Sequence, residues 1–322
     1  MQERSEYKIV FMGTPEFAVP SLSALVDAGY DVCAVVTATD KPAGRGRKIS
    51  FSAIKEYAIQ KGLKLLQPEN LKSAAFYDEL KGLNSDLGVV VAFRMLPEQI
   101  WNLPKLGTIN LHASLLPDYR GAAPINRAIM QGETKSGIST FFLRHEIDTG
   151  PLLLQQELQI GTNETAGELH DRLMSLGANL VLKTVDAIRE GVAISHEQRS
   201  LQAGEEVKSA SKLFRDDCKI DWTKSNAEVH NHIRGLSPFP GAWTILTSID
   251  EKDIQWKILN SEWSDEHNLL PGQIKTDMKN FLSVGCGKAS ISVLSLQSEG
   301  KKRMSINEFL RGSSDLSGFQ LK

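Results

Sequence analysis

The sequence predicts an α/β chain: an open sheet of parallel type, followed by a small antiparallel barrel of OB-like build. Three observations point there. Short apolar strands alternate with helical stretches from Tyr7 to about Arg189, the layout of successive βαβ units. The run Leu87-Gly-Val-Val-Val-Ala-Phe93 is apolar on both faces, which suits a strand covered on both sides in a parallel sheet. From Ser209 onward, short strand candidates are separated by turn residues at regular spacing, the pattern of small barrels.

In chain order, Lys8-Ile-Val-Phe-Met12 reads as the first strand, closed by Gly13-Thr14-Pro15. A helix follows over about Phe17 to Ala28, with Gly29 as its stop. Asp31-Val-Cys-Ala-Val-Val-Thr37 is a second strand, and a long polar loop comes after it. Ser52 caps a helix that runs to about Lys61, and Gly62 ends it. After Leu87–Phe93 come the strand in Gly107-Thr-Ile-Asn-Leu-His112, a helix with Pro124 in its first turn, and the strand Gly137-Ile-Ser-Thr-Phe-Phe142. The clearest helix is Ala166 to Arg189. Leu169, Leu173, Leu176, Leu180, Thr184 and Ile188 form one stripe, and Thr165-Ala-Gly-Glu168 is a capping-box signature at its start. That stripe is core packing. Residues 191–208 are polar and lack periodicity, so they read as a linker between a first domain, 1–190, and a second, 209–322. The strand candidates of the second domain are Gly241–Thr247, Asp253–Leu259, Phe281–Val284 and Ala289–Leu296.

Composition narrows the class. At 322 residues, 41% hydrophobic and 24% charged, the chain reads as an ordinary soluble protein with room for two domains. A formal net charge of −2 supplies no global field for a polyanion, so such a partner would have to be held by local patches. Cys33, Cys218 and Cys286 form no CxxC pair, which argues against a zinc site or a disulfide scaffold and fits a reducing cytoplasm. No apolar run approaches the ~20 residues that span a bilayer. The expectation is a cytoplasmic protein with no membrane partner and no metal.

Four segments compete as sites. Gly13-Thr-Pro-Glu-Phe17 lies at the carboxyl end of the first strand, where open α/β sheets bind ligands, but it is no GxGxxG fingerprint. Asn110 and His112 stand two apart on a strand, so both project from one face, and Ala-Ser-Leu-Leu-Pro117 turns the chain away after them. The alternative is a hydrogen-bonded Asn and a half-buried His with no further task. Asp148, before Thr149-Gly150, sits in a turn that could aim a carboxylate at the sheet edge, or could merely bond backbone amides in an Asx-type turn. The loop Asp40-Lys-Pro-Ala-Gly-Arg-Gly-Arg-Lys48 carries four cations in eight residues, either as a solvated surface run or as a grip on a phosphate-bearing substrate.

Together these segments resemble the methionyl-tRNA formyltransferase family. The similarity runs in order along nearly the whole chain. It comprises Gly13-Thr-Pro-Glu-Phe17, the basic loop, Asn110-Leu-His-Ala-Ser-Leu-Leu-Pro117, Arg120-Gly-Ala-Ala-Pro124, Asp148-Thr-Gly150, Lys219-Ile-Asp-Trp222, Arg234-Gly-Leu-Ser-Pro-Phe-Pro-Gly-Ala-Trp243 and Gly300-Lys-Lys-Arg-Met304. The resemblance implies a Rossmann-like formyltransferase domain and a second domain that binds tRNA. It also implies formyl transfer from 10-formyltetrahydrofolate to the α-amino group of methionyl initiator tRNA, by a monomer and without a metal. In this setting Asn110 and His112 would hydrogen-bond the oxyanion that acyl transfer creates, and Asp148 would orient His112 and take a proton from the attacking amine. Folate contacts would come from Ser114, Leu115, Leu116 and Pro117, and from Phe93, Arg94 and Met95. The latter three lie in Val91-Ala-Phe-Arg-Met-Leu-Pro97, one residue shorter than the common family pattern. Lys41, Arg45, Arg47 and Lys48 would meet the acceptor end of the tRNA, with Arg45 as the critical arginine; Lys301, Lys302 and Arg303 would grip its inner side. One rival, a formyltransferase acting on an amino-sugar nucleotide, shares the three polar residues but leaves the basic loop without a task; a second, a non-catalytic tRNA-binding protein on the same scaffold, has the presence of all three against it.

Overall fold

The computed structural model describes residues 2–43, 48–198, 206–247, 253–264, 268–313, 315–316 and 319–322. The chain divides into two compact units. The first comprises 1–120, 137–158 and 170–208, the second 121–136, 159–169 and 209–322. This division departs from the boundaries at 190 and 208. The stretch read as a linker belongs to the first unit: His196 exchanges two backbone hydrogen bonds of 2.8 Å with Leu152. Residues 121–136, with helix Pro124–Met130, pack with the second unit.

A seven-stranded sheet organises the first unit. Its spatial order is Leu152–Gln159, Lys135–Phe142, Thr108–His112, Leu87–Val91, Lys8–Gly13, Asp31–Val36 and Leu65–Leu66. The last five named run parallel, and Lys135–Phe142 runs antiparallel to Thr108–His112. Chain order reverses around Lys8–Gly13, so the carboxyl ends of that strand and of Leu87–Val91 form the kind of crevice where open sheets bind ligands. Leu87–Val91 is buried at every position, as its two-faced apolar run requires. Apolar residues of helices Val19–Asp27, Ala53–Gln60 and Ala74–Gly82 are buried against these strands; Ser52 and Ser73 accept hydrogen bonds from Lys55 and Phe76 at the starts of the latter two. The two-residue strand Leu65–Leu66, helix Ala74–Gly82 and strand Leu152–Gln159 have no counterpart in the elements read from sequence. Each is too short, or too mixed in pattern, to register by periodicity.

Helix Ala166–Arg189 buries Leu169, Leu173, Leu180 and Thr184, whereas Leu176 and Ile188 are only half-buried. The Thr165/Glu168 capping box forms: the Thr165 amide donates to Glu168 at 2.8 Å, and the Glu168 amide donates to Thr165 Oγ1 at 3.3 Å. At Gly177 any side chain would meet Leu111 at 2.6 Å, so the glycine lets this helix lie close over strand Thr108–His112.

The second unit is an antiparallel sheet in the order Ile274–Thr276, Leu282–Gly285, Ser290–Ser298, Ile254–Ser264, Ala242–Thr247, Gln320–Leu321, with Met304–Ser305 paired to Ser290–Ser298. The Leu321 amide donates to Gly272 at 2.9 Å, and Gln273 bridges Gln320. The last strand thus folds back to the first, and the sheet is nearly closed, with little free edge. Helix Asn226–Leu236, capped by Ser225 and Glu228, buries Val229, Ile233 and Leu236 in the same core as Trp222 and Trp256.

Candidate active site

In a parallel sheet, strands that share a direction end at one edge. Gly13, Val36, Val91 and His112 are therefore neighbours along the carboxyl edge of the first unit, and the loops after them carry most of the candidate residues. Strand Thr108–His112 forms because Thr108, Ile109 and Leu111 are buried between Leu87–Val91 and Lys135–Phe142. Leu111 faces helix Ala166–Arg189, so Asn110 and His112 project from the opposite face. Asn110 is half-buried, opposite Val90 and Phe141. His112 is 7% exposed.

The His112 ring is pinned from one side. Its Nε2 lies 2.8 Å from the backbone oxygen of Tyr119, an acceptor with no proton of its own, so Nε2 must donate. Nδ1 is the nitrogen that this contact leaves open. It lies 3.7 Å from Asp148 Oδ2, close enough for charge to act but too far for a direct hydrogen bond. The Tyr119 carbonyl thus holds the ring from the Nε2 side, and Asp148 faces it from the Nδ1 side at the longer distance. Asp148 itself has φ +53°, in the left-handed region that Asp tolerates better than most residues. Gly150 follows because a side chain there would collide with the Phe142 carbonyl. Thr149 Oγ1 closes the turn onto Glu146 at 3.0 Å.

Two supports of this site left no mark that single-sequence reading could find. Tyr119 acts through its backbone. Gln198 lies within the supposed linker, is 1% exposed, and donates through Nε2 to the carbonyls of Asp148 (2.9 Å) and Gly150 (2.8 Å). A lone glutamine in a stretch without periodicity gives no warning of burial.

The folate candidates divide. Ser114 is fully buried; its hydroxyl donates to the Asp118 carbonyl at 2.6 Å, and its own carbonyl accepts from Ser139 Oγ at 2.6 Å. The Leu116 amide donates to Ser139 Oγ at 3.1 Å, and its side chain sits in the core with Phe141 and Leu152. Both residues shape the turn. Leu115 and Pro117 are partly exposed. Along the neighbouring strand end, Phe93 is half-buried and Met95 is 73% exposed. Arg94 stacks its guanidinium 5.8 Å from the Phe93 ring and donates to the carbonyls of Pro68 and Glu69, so it ties two loops of the same edge together.

Arg45 and Arg47 lie outside the described residues. Exposed Lys41 and the backbone of Lys48 stand on a short hairpin, Lys41–Ala43 against Lys48–Ser50. Its foot is fixed by Asp40, which accepts from Lys55 Nζ at 2.5 Å and from Gln67 at 2.9 Å. Those two contacts, Lys55 first, hold the Asp40 carboxyl below its ordinary range. In the second unit, Lys301, Lys302 and Arg303 are exposed beyond the turn at Gly300, and Arg303 donates to Asn260 Oδ1 at 2.5 Å. Among the described residues no group of three or more His, Cys, Asp or Glu could hold a metal, and no helix is long and apolar enough to cross a membrane.

Comparison with known proteins gives concordant results. Residues 7–185 match the family described as formyl transferase, and residues 212–314 match the formyl transferase C-terminal domain. The methionyl-tRNA formyltransferase of Bacteroides fragilis is 49% identical over 321 residues, 99% of either chain. That of Porphyromonas gingivalis is 50% identical over 320 residues, 98% of this chain and 99% of the relative. Among solved structures, an N-formyltransferase from Helicobacter canadensis, crystallised with folinic acid and dTDP-3-aminofucose, superposes with a TM-score of 0.67. It is 20% identical and covers 92% of this chain and 100% of its own, a likeness of fold. With half of its residues shared over nearly full length, and with both domains matched, the chain belongs to the methionyl-tRNA formyltransferase family.

Proposed function

We propose that this protein transfers a formyl group from 10-formyltetrahydrofolate to the α-amino group of methionyl initiator tRNA, as a cytoplasmic monomer. The observation that carries the chemistry is the placement of His112 Nδ1 3.7 Å from Asp148 Oδ2, at a sheet edge shared with Asn110. Family membership supplies the substrates.

The folate fits the residues present: uncovered Met95 and half-buried Phe93, with the partly exposed Leu115 and Pro117 in the loop after the adjacent strand, offer apolar surface for a flat heteroaromatic ring. When bound, it supplies a formyl carbon on nitrogen. Reaction forms a bond between that carbon and the methionyl nitrogen, breaks the bond to the folate nitrogen, and passes one proton from amine to leaving nitrogen. Asn110 donates its amide to the formyl oxygen, where negative charge grows. His112 faces the same oxygen through Nδ1, since Nε2 donates to the Tyr119 carbonyl, and Asp148 stands 3.7 Å from that nitrogen. Asp148 also accepts a proton from the attacking amine. Ser114 and Leu116 act by fixing the turn, and Arg94 by holding the loop at Pro68 and Glu69. Lys41, Arg45, Arg47 and Lys48 contact phosphates at the acceptor end, and Lys301, Lys302 and Arg303 contact the inner face of the tRNA.

A radiolabelled transfer assay with methionyl initiator tRNA and a dTDP-linked amino sugar side by side tests the reading. Label should appear on the tRNA. Label on the sugar alone, or on neither, would overturn it.

A further inference from the structure

We infer that Gln198 is the positioning residue that sets the gap between His112 and Asp148, an inference that rests on the formyl-transfer reading above. Its carboxamide makes four hydrogen bonds to three groups. Nε2 donates to the carbonyls of Asp148 and Gly150, at 2.9 and 2.8 Å, which uses both of its protons. Oε1 accepts from Arg120 Nε at 3.0 Å and Nη2 at 2.5 Å. Arg120 is bonded directly to Tyr119, whose carbonyl holds His112 Nε2. One buried amide therefore ties the backbone that carries the carboxylate to the backbone that orients the imidazole.

Its neighbours reinforce the clamp. His196 pairs with Leu152 through two 2.8 Å backbone bonds, and Glu197 forms a bidentate pair with Arg144 at 2.8 and 2.6 Å. Three successive residues thus hold both ends of the turn that bears Asp148. That turn needs holding, since a non-glycine residue at φ +53° persists only where its surroundings over-determine it. The side chains of Asn110 and His112 ride on a strand at the middle of the sheet, whereas Asp148 rides on a loop. Geometry to within fractions of an ångström therefore depends on what grips that loop, and misplacement by ~1 Å costs on the order of 100-fold in rate.

The test uses the full-length chain. Gln198→Met keeps length and volume but removes all four bonds; Gln198→Glu keeps the acceptor for Arg120 and removes the donors to the two carbonyls. Well below the melting temperature, both variants should lose about tenfold to 100-fold in kcat with methionyl initiator tRNA. The KM values for tRNA and folate should stay within about threefold, since uniform binding is untouched. Backbone amides of 143–150 should exchange faster with deuterium, and Arg120→Met, which breaks only the acceptor side, should have the smaller effect on both readouts. Gln198→Met with kcat within about twofold of the unaltered chain, or with activity lost only in step with unfolding, would overturn the inference. If the unaltered chain fails to formylate the tRNA, the functional reading has failed instead, and the exchange rates alone decide whether Gln198 holds the turn.

Discussion

His112 and His230 are buried almost equally, 7% and 1% exposed, in two regions built for different ends. His112 ends a strand at the carboxyl edge of the first unit, with one nitrogen fixed by a carbonyl and the other facing a carboxylate. His230 lies in the helix Asn226–Leu236, its Nδ1 3.0 Å from Ser261 Oγ and its ring edge-on to Trp263. Burial, and then the charge of Arg234, push its pKa down to about 4, so at neutral pH it is an uncharged piece of core. Burial alone does not make a histidine functional. What separates them is the company each keeps: an anionic partner held just out of bonding range, against a hydroxyl and an indole.

Breaking the first region should have the largest effect. Asn110→Ala removes the proposed donor to the formyl oxygen and should lower turnover about 100- to 1000-fold, with the melting temperature unchanged. Steady-state kinetics beside a thermal melt checks both halves of that statement. Gly150→Ala attacks the same turn through sterics, since the added methyl meets the Phe142 carbonyl. The strain should cost about 1–3 kcal/mol and displace Asp148, so stability and turnover should fall together. Outside the core of the site, Arg45→Ala should weaken tRNA use while sparing folate binding. The slope of log KM against log salt should become shallower by about one unit. Unchanged salt dependence would remove Arg45 from the tRNA contacts.

The smallest effect on turnover belongs to His230, whose contribution is to stability. Its folded pKa of about 4 lies below the ordinary 6.5, so the unfolded chain binds a proton that the folded chain excludes. The stability this contributes is complete above pH ~6.5 and is lost as pH falls towards 4. Urea midpoints between those limits should fall less steeply in His230→Asn than in the unaltered chain. Identical slopes would show that His230 is not the group responsible.

The regions also differed in how far sequence could reach them. The strand Thr108–His112 was legible because alternation places Asn110 and His112 on one face and Leu111 on the other. The Asp148 turn was legible because Asp-Thr-Gly is turn chemistry. Helix Ala166–Arg189 announced itself through its stripe and its capping box. Tyr119 was invisible as a support because its contribution is a carbonyl, which every residue has. Gln198 was invisible because its burial comes from the fold of the turn against it, and nothing in 191–208 repeats with a period that would betray an inward face. The inward aim of the Ser114 hydroxyl, which donates to the Asp118 carbonyl, was likewise hidden, because Ser114 entered as a folate contact only through the family resemblance.

The most direct measurement is the single-turnover rate of formyl transfer to methionyl initiator tRNA by Asp148→Asn, with both substrates saturating. Asparagine tolerates the left-handed backbone at this position, so the turn should survive while the carboxylate is lost. A rate about 100- to 1000-fold below that of the unaltered chain, with tRNA binding intact, is the expected result. A rate near normal would mean that no charge at this position assists the reaction, and that the site has been assigned to the wrong residues.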